Sequence, residues 1–219
     1  MLRLYTYFRS SAAYRVRIAL NLKGLAYEAL PVHLVRDGGQ QNHAAYRALS
    51  PLGTVPTLET DSGTFTQSLA IIEYLDEIHP LPPLLPESAA GRARVRARVR
   101  ALAQTVACDI HPVNNLRVLQ YLGKHFAATQ EQKEAWYRHW VSAGLLAVEQ
   151  LLAGHPATGA FCHGEVPTLA DCCLVPQVFN ARRFDCPFDA MPTIRRITAA
   201  CESLPAFCNA APAMQPDAE

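Results

Sequence analysis

Residues 9–20, Arg9-Ser10-Ser11-Ala12-Ala13-Tyr14-Arg15-Val16-Arg17-Ile18-Ala19-Leu20, set two adjacent hydroxyls where a strand-like alternation gives way to a helical run. A helix begins with backbone N–H groups that have no intrahelical partner, and its dipole concentrates partial positive charge there. A serine at that position can cap the helix. It can also donate a hydrogen bond to an anion held against the same N–H groups. A thiolate is one such anion, and lowering a thiol's pKa is what makes sulfur a nucleophile near neutral pH. The seven cysteines all lie from residue 108 onward, at 108, 162, 172, 173, 186, 201 and 208. A sulfur activated at Ser10 would therefore be brought by another molecule. On this segment alone, capping and sulfur activation both stay open.

Composition limits what such a site can meet. With 219 residues, 50% of them hydrophobic, and 16 prolines, the chain can build one large or two small domains with a substantial core. Twenty Lys and Arg against nineteen Asp and Glu leave a net charge of +1, too little to attract nucleic acid or an acidic membrane. An anionic partner must be met locally. The opening MLRLYTYF has no basic segment followed by an apolar core, and no run of about 18 apolar residues follows. A soluble, cytoplasmic protein with no nucleic-acid or membrane partner is expected. An odd number of cysteines without regular spacing reads as reduced thiols packed as small hydrophobes. The pairs Cys108 with His111 and Cys162 with His163 lack a matching second pair, so no metal site is expected. Without a C-x-x-C there is no dithiol redox cycle either.

The elements that must position Ser10 fall into two textures. Leu2–Tyr7 alternates as a strand; Ala12, Val16, Ala19 and Leu20 share one helix face; Tyr27–Val32 follows as a parallel strand after a crossover. Asp37-Gly38-Gly39 breaks the chain, and a short segment spans Gln41 to Leu49. Val55–Thr60 and Thr64–Thr66 flank a Gly-containing turn as a hairpin. Pro56 fits either a trans edge residue or a cis bond that re-aims Val55 toward an extended peptide. The next helix runs to Ile78 with Gln67 and Ser68 at its mouth. The plan is βαβ, loop, ββα: an α/β thioredoxin-like domain over residues 1–79, a proline-rich linker over 80–90, and an all-α domain over 91–219. In the latter, residues 91–122 and 130–153 read as long helices, and Thr168-Leu169-Ala170-Asp171 is a capping box. Replacing Thr168 or Asp171 by Ala is expected to cost on the order of 1 kcal/mol. The arginines at 92, 94, 96, 98 and 100 splay around their helix and read as a solvated or subunit-facing surface.

These motifs taken together resemble the zeta-class glutathione transferase family, of the maleylacetoacetate isomerase kind, over essentially the whole chain. They are Arg9-Ser10-Ser11 running into Arg15–Leu20, then Asp37-Gly38-Gly39-Gln40-Gln41, Val55-Pro56-Thr57-Leu58, Gln67–Leu75 and Leu174-Val175-Pro176-Gln177-Val178. The resemblance implies the glutathione transferase fold, a homodimer, and glutathione as cofactor. It implies that Ser10 activates the glutathione sulfur with Ser11 assisting, and that Val55, before a cis Pro56, pairs with the cysteinyl backbone. Gln67 and Ser68 would hold the γ-glutamyl carboxylate, with Arg15 and Gln41 as further contacts and His111, Asn115 and Arg117 closing the site. Arg9 and Arg182 would grip a keto-acid or dicarboxylate substrate. Where family members often carry Ser-Ser-Cys the chain has Ala12, and Tyr14 stands where tryptophan is common. Ser10 is left as the activator.

A cis double bond conjugated to a carbonyl cannot rotate until its π bond is broken, and reversible addition of a soft nucleophile breaks it. The activity implied is conversion of maleylacetoacetate to fumarylacetoacetate. Maleylpyruvate isomerisation is a close variant. Two further readings differ in kind: a conjugating or haloacid-processing transferase that consumes glutathione, and a non-catalytic docking protein that keeps the fold.

Overall fold

The computed structural model describes residues 1–86 and 92–219 as two compact units, Met1–Leu85 with Glu202–Glu219 and Pro86–Cys201. Residues 87–90 of the expected linker, and residue 91 where the helical domain was to open, lie outside the described residues.

The first unit is built on a four-stranded sheet in the order β2-β1-β3-β4, comprising β1 (Arg3–Thr6), β2 (Glu28–Pro31), β3 (Thr57–Thr60) and β4 (Gly63–Thr66). β1 pairs parallel with β2, β1 antiparallel with β3, and β3 antiparallel with β4. This is the thioredoxin-like arrangement read from the sequence. Alternation along β1 sorts its side chains: Leu4 and Thr6 are buried on one face, while Arg3 and Tyr5 reach Glu59 on the other. Helices α1 (Ser11–Leu22) and α3 (Ser68–Ile78) pack together. The short α2 (Ala44–Leu49) sends Tyr46 to the opposite face, where its ring meets Tyr5 at 5.8 Å.

Helix α1 stops where its sequence says it should. Gly24 takes φ +64, and the amides of Gly24 and Leu25 return to the carbonyls of Asn21 and Leu20 at 3.1 and 2.9 Å, closing a Schellman cap. Lys23 at the same end is buried; its Nζ contacts Asp76 Oδ1 at 2.8 Å and the carbonyls of His79 and Pro82 at 2.7 and 3.0 Å. Asp76 in turn accepts from the amides of Leu84 and Leu85. Residues 80–85 of the proline-rich segment are thus tied to the first unit.

Residues 202–219 differ from expectation: they belong to the first unit, not the helical one. The short helix α9 (Pro205–Cys208) lies against α1, with Phe207 buried beside Tyr14 and with Asn21 Nδ2 donating to Ala206 O at 3.0 Å. Helical periodicity alone carried no sign of where that helix packs.

The second unit contains α4 (Arg92–Gln104), α5 (Leu116–Phe126), α6 (Gln130–Leu152), α7 (Leu169–Arg183) and α8 (Pro192–Glu202), with no strand among its described residues. The expected single helix over 91–122 is interrupted. After α4 the chain widens into a π-helical turn, Thr105–Ile110, then a 3-10 turn, Pro112–Asn114, before α5. Pro112 cannot donate to a preceding turn. Ile110 packs so closely on Gly144 of α6 that a Cβ there would overlap it. Arg98 is not a solvated surface charge: it donates from Nη1 to Cys162 O and from Nη2 to Thr158 Oγ1, each at 2.8 Å. Glu149 on α6 is buried and caps α8, accepting from the amides of Thr193 and Ile194 at 2.9 and 2.8 Å.

The capping box at Thr168 is present and extends further than its sequence indicated. Fully buried Asp171 accepts from Thr168 N and Oγ1 at 2.8 and 2.9 Å, and from Cys162 N at 2.8 Å. Burial raises its pKa, and the hydrogen bonds from Cys162 and Thr168 oppose that rise. Thr168→Ala should cost about 1 kcal/mol. Asp171→Ala strands two buried amides and should cost about 3 kcal/mol or more. Denaturant unfolding of the two variants checks the order; equal losses would show that Asp171 acts only as part of the cap.

Candidate active site

The sheet topology gathers the sequence-predicted residues of the first unit. β1 and β3 are antiparallel, with Tyr5 opposite Thr57, and β3 and β4 are antiparallel, with Thr57 opposite Thr66. The exit of β1, the start of β3 and the exit of β4 therefore lie at one end of the sheet. Ser10 follows β1, Val55 and Pro56 precede β3, and Gln67 and Ser68 follow β4. β2 runs parallel to β1, so the loop leading to Gln41 leaves from that end as well.

Ser10 is the N-cap of α1, with φ −70 and ψ 114, and its Oγ accepts from Ala13 N at 3.2 Å. That settles the capping half of the choice and leaves the other half standing. As acceptor in the cap, the hydroxyl spends a lone pair and keeps its proton to donate. Ser11 opens the helix and is buried. Its N–H and that of Ala12 are first-turn groups with no intrahelical acceptor.

Val55 and Pro56 are joined by a cis peptide bond. Both are buried, and they lie just ahead of Thr57, where strand pairing begins. The Val55 side chain belongs to a cluster with Tyr7, Phe8, Val32 and Tyr46, which fixes its backbone beside the exit of β1. Gln67 caps α3 in the left-handed region at φ 70, with no side-chain hydrogen bond to the helix. A glutamine held there without glycine's freedom is strained backbone, a feature that gathers at functional sites. Gln67 is exposed at this helix N-terminus. Ser68 is buried behind it, and its Oγ accepts from Arg15 Nη1 at 3.2 Å. Arg15 is 2% exposed, so this contact pins the start of α3 to the first turns of α1.

Gln41 lies in a 3-10 turn, Gln40–Asn42; its Nε2 donates to Leu34 O at 3.2 Å and its Oε1 is buried without a hydrogen-bond partner. Arg9 is exposed, with its guanidinium 4.8 Å from the Phe8 ring centre and Nη2 donating to Tyr7 OH at 3.1 Å. The remaining predicted residues lie in the second unit. His111 joins the π-helical turn to the 3-10 turn. Asn115 caps α5, accepting from Arg117 N at 3.2 Å, and Arg117 is exposed. Arg182 is exposed in the last turn of α7.

Sequence reasoning missed Asp217, whose Oδ2 accepts from Phe8 N at 2.9 Å across 209 residues of chain. Nothing local in residues 212–219 signals that pairing. Five of the seven cysteines are buried, and burial pushes the Cys162 thiol well above its ordinary pKa. Among the described residues no group of three or more His, Cys, Asp and Glu converges as metal ligands would, and no helix is long and apolar enough to cross a membrane.

The family profile "Glutathione S-transferase, N-terminal domain" matches residues 4–83. A probable maleylacetoacetate isomerase of Vibrio cholerae is 52% identical, covering 98% of this chain and 97% of its own. The holo structure of a maleyl pyruvate isomerase, described as a bacterial zeta-class glutathione S-transferase, superposes with a TM-score of 0.94 at 50% identity, covering 99% of this chain and 100% of its own. A maleylacetoacetate isomerase of Methylobacterium extorquens, solved with bound malonate and GSH, superposes with a TM-score of 0.93 at 40% identity, covering 99% of each chain.

The strain at Gln67 can be read directly. Gln67→Gly releases a left-handed non-glycine residue worth about 1–3 kcal/mol and adds about 0.5–1 kcal/mol of chain entropy cost. Thermal unfolding should show equal or slightly higher stability; a clear loss would mean the amide stabilises the fold rather than serving a ligand.

Proposed function

The chain belongs to the zeta class of the glutathione S-transferase family, and on that premise we propose a glutathione-dependent cis-trans isomerase that converts maleylacetoacetate to fumarylacetoacetate, the penultimate step of tyrosine breakdown. The observation that carries the reading is Ser10: a capping hydroxyl with its proton still free, at the mouth of α1.

The donor set fits glutathione. A hydroxyl proton and unpaired first-turn amides suit an anionic sulfur. The backbone of Val55, ahead of the paired part of β3, suits an extended peptide. The start of α3, with Gln67 exposed and Ser68 braced by Arg15, suits a carboxylate. When bound, glutathione supplies a thiolate whose reversible addition to the cis double bond leaves a single bond free to rotate. Ser10 lowers the thiol pKa by donating to the charged form, and the first turn of α1 adds its field. The rigid clasp of Arg15 on Ser68 holds the second anchor at a fixed distance from the first, so the sulfur meets the substrate in one orientation.

Gln41 is assigned as a further contact through its amide. Arg9 is assigned to a substrate carboxylate, consistent with its exposed guanidinium. His111, Asn115 and Arg117 toward glutathione, and Arg182 toward the keto-acid, rest on the family pattern alone. A dicarboxylate accompanies GSH in the Methylobacterium extorquens relative, which supports a substrate of that charge type. We extend the reading to a homodimer and a cytoplasmic location. Maleylpyruvate is the second substrate reading, favoured by the 50% identity to a maleyl pyruvate isomerase.

Substoichiometric glutathione should convert maleylacetoacetate, or maleylpyruvate, completely to the fumaryl isomer. Consumption of one glutathione per turnover would point instead to a conjugating transferase. Ser10→Ala should lower kcat by about 10²-fold with circular dichroism unchanged; retention of full turnover would remove Ser10 from the mechanism. Arg182→Ala should raise KM for the keto-acid far more than KM for glutathione, and equal effects would count against its assignment.

A further inference from the structure

Residues 7–9 lie beyond the last paired residue of β1 and immediately before Ser10, yet the backbone of Tyr7 and Phe8 is held by two side chains. One grip is Arg17, fully buried on α1. Its Nη1 donates to Thr6 Oγ1 at 3.0 Å and Tyr7 O at 3.3 Å, its Nη2 to Phe8 O at 3.0 Å, and its Nε to Ala210 O at 3.0 Å. Tyr7 O also accepts from Ser10 N at 2.9 Å, so the amide of Ser10 hangs on an oxygen that Arg17 holds. The other grip is Asp217, whose Oδ2 takes the Phe8 N–H at 2.9 Å. Asp217 Oδ1 is buried and makes no hydrogen bond, which leaves its charge to act on Arg17. Burial lowers the Arg17 pKa to about 10, and Asp217 is among the groups that oppose the drop.

From this arrangement we infer that Asp217 is a positioning residue for Ser10, acting through the backbone of Phe8 and through Arg17, so that residues 202–219 are part of the sulfur-activating apparatus. The inference rests on the reading of Ser10 given above. Backbone groups outside a ladder need partners, and here those partners are the arginine and the carboxylate. Removing the carboxylate frees Phe8 N–H and leaves a buried cation less compensated, so Tyr7–Ser10 can relax. Displacements of about 1 Å at a reacting group can cost up to about 10²-fold in rate. The γ-glutamyl anchor follows β4 and does not touch Asp217, so glutathione affinity should change little.

The test compares wild type with Asp217→Ala and Asp217→Asn by three readouts. These are hydrogen exchange of the Phe8 amide in the free protein, the ultraviolet thiolate titration of bound glutathione without keto-acid, and steady-state kinetics. Asp217→Ala should speed Phe8 exchange at least about tenfold and raise the bound-thiol pKa by about one unit. It should also lower kcat about tenfold with KM for glutathione within about twofold. Asp217→Asn, which keeps an acceptor and the volume, should leave Phe8 protected and lower kcat only about threefold; it carries the test if the Ala variant does not fold. A normal thiol titration and kcat in Asp217→Ala, or equal losses in Ala and Asn, overturns the inference. Wild type that holds no thiolate overturns the reading of Ser10 and the inference with it. Wild type that holds thiolate but isomerises nothing overturns the substrate assignment alone.

Discussion

The antiparallel register of β1 with β3, Tyr5 opposite Thr57, is the constraint from which the site in the first unit follows. It places the end of one strand beside the beginning of another, and the hairpin to β4 returns a third chain segment to the same end. Three segments that are distant in sequence become neighbours through backbone pairing alone. Each brings a different recognition element: a helix start with a hydroxyl, a stretch of backbone ahead of its strand, and a second helix start. A register slip of one residue would turn every side chain of β3 to the opposite face and carry Val55 away with it.

Buried charge in this protein aims particular polar groups, most of them backbone. Lys23 and Asp76 fasten the proline-rich segment; Arg15 braces Ser68; Arg17 braces the residues before Ser10. In the second unit Asp171 and Glu149 do the same for helix starts. Ion pairs in a core contribute little net stability, because desolvation offsets most of the attraction. Hydrophobic side chains of similar volume could fill the same space but could not hold a particular carbonyl or amide in place. Directionality is what these groups add, and the first unit uses it where anions would have to be met in a chain of almost no net charge.

Much of this was legible in the sequence. The alternation of Leu2–Tyr7, the helix face of Val16, Ala19 and Leu20, the Gly-containing hairpin and the box at Thr168 report local preferences that tertiary structure kept. What stayed hidden was long-range. The placement of residues 202–219 on α1 depends on Arg17 and Asn21 finding carbonyls nearly 200 positions away, and no periodicity encodes that. The break after Gln104 was hidden for another reason: a π-helical turn widens the helix by a single residue, a shift too small to stand out in a helical pattern, and the bond from His111 N to Val106 O at 3.0 Å is what marks it. Arg98 was misread as solvated because alternate arginines splay around a helix, yet one of them met the carbonyl of Cys162.

The same accounting explains why the sulfur has to come from outside. A protein thiol becomes a nucleophile where positive potential meets partial exposure. Of the seven cysteines here, five are buried, and for Cys162 burial raises the pKa, the opposite of activation. The helix start that Ser10 caps, whose hydroxyl accepts from Ala13 N, carries Ala12 where a thiol would serve. Anion stabilisation and sulfur are thus kept apart in this chain, and only a diffusible thiol unites them. Such a thiol can be recovered unchanged after each turnover, which is what isomerisation requires and what conjugation does not.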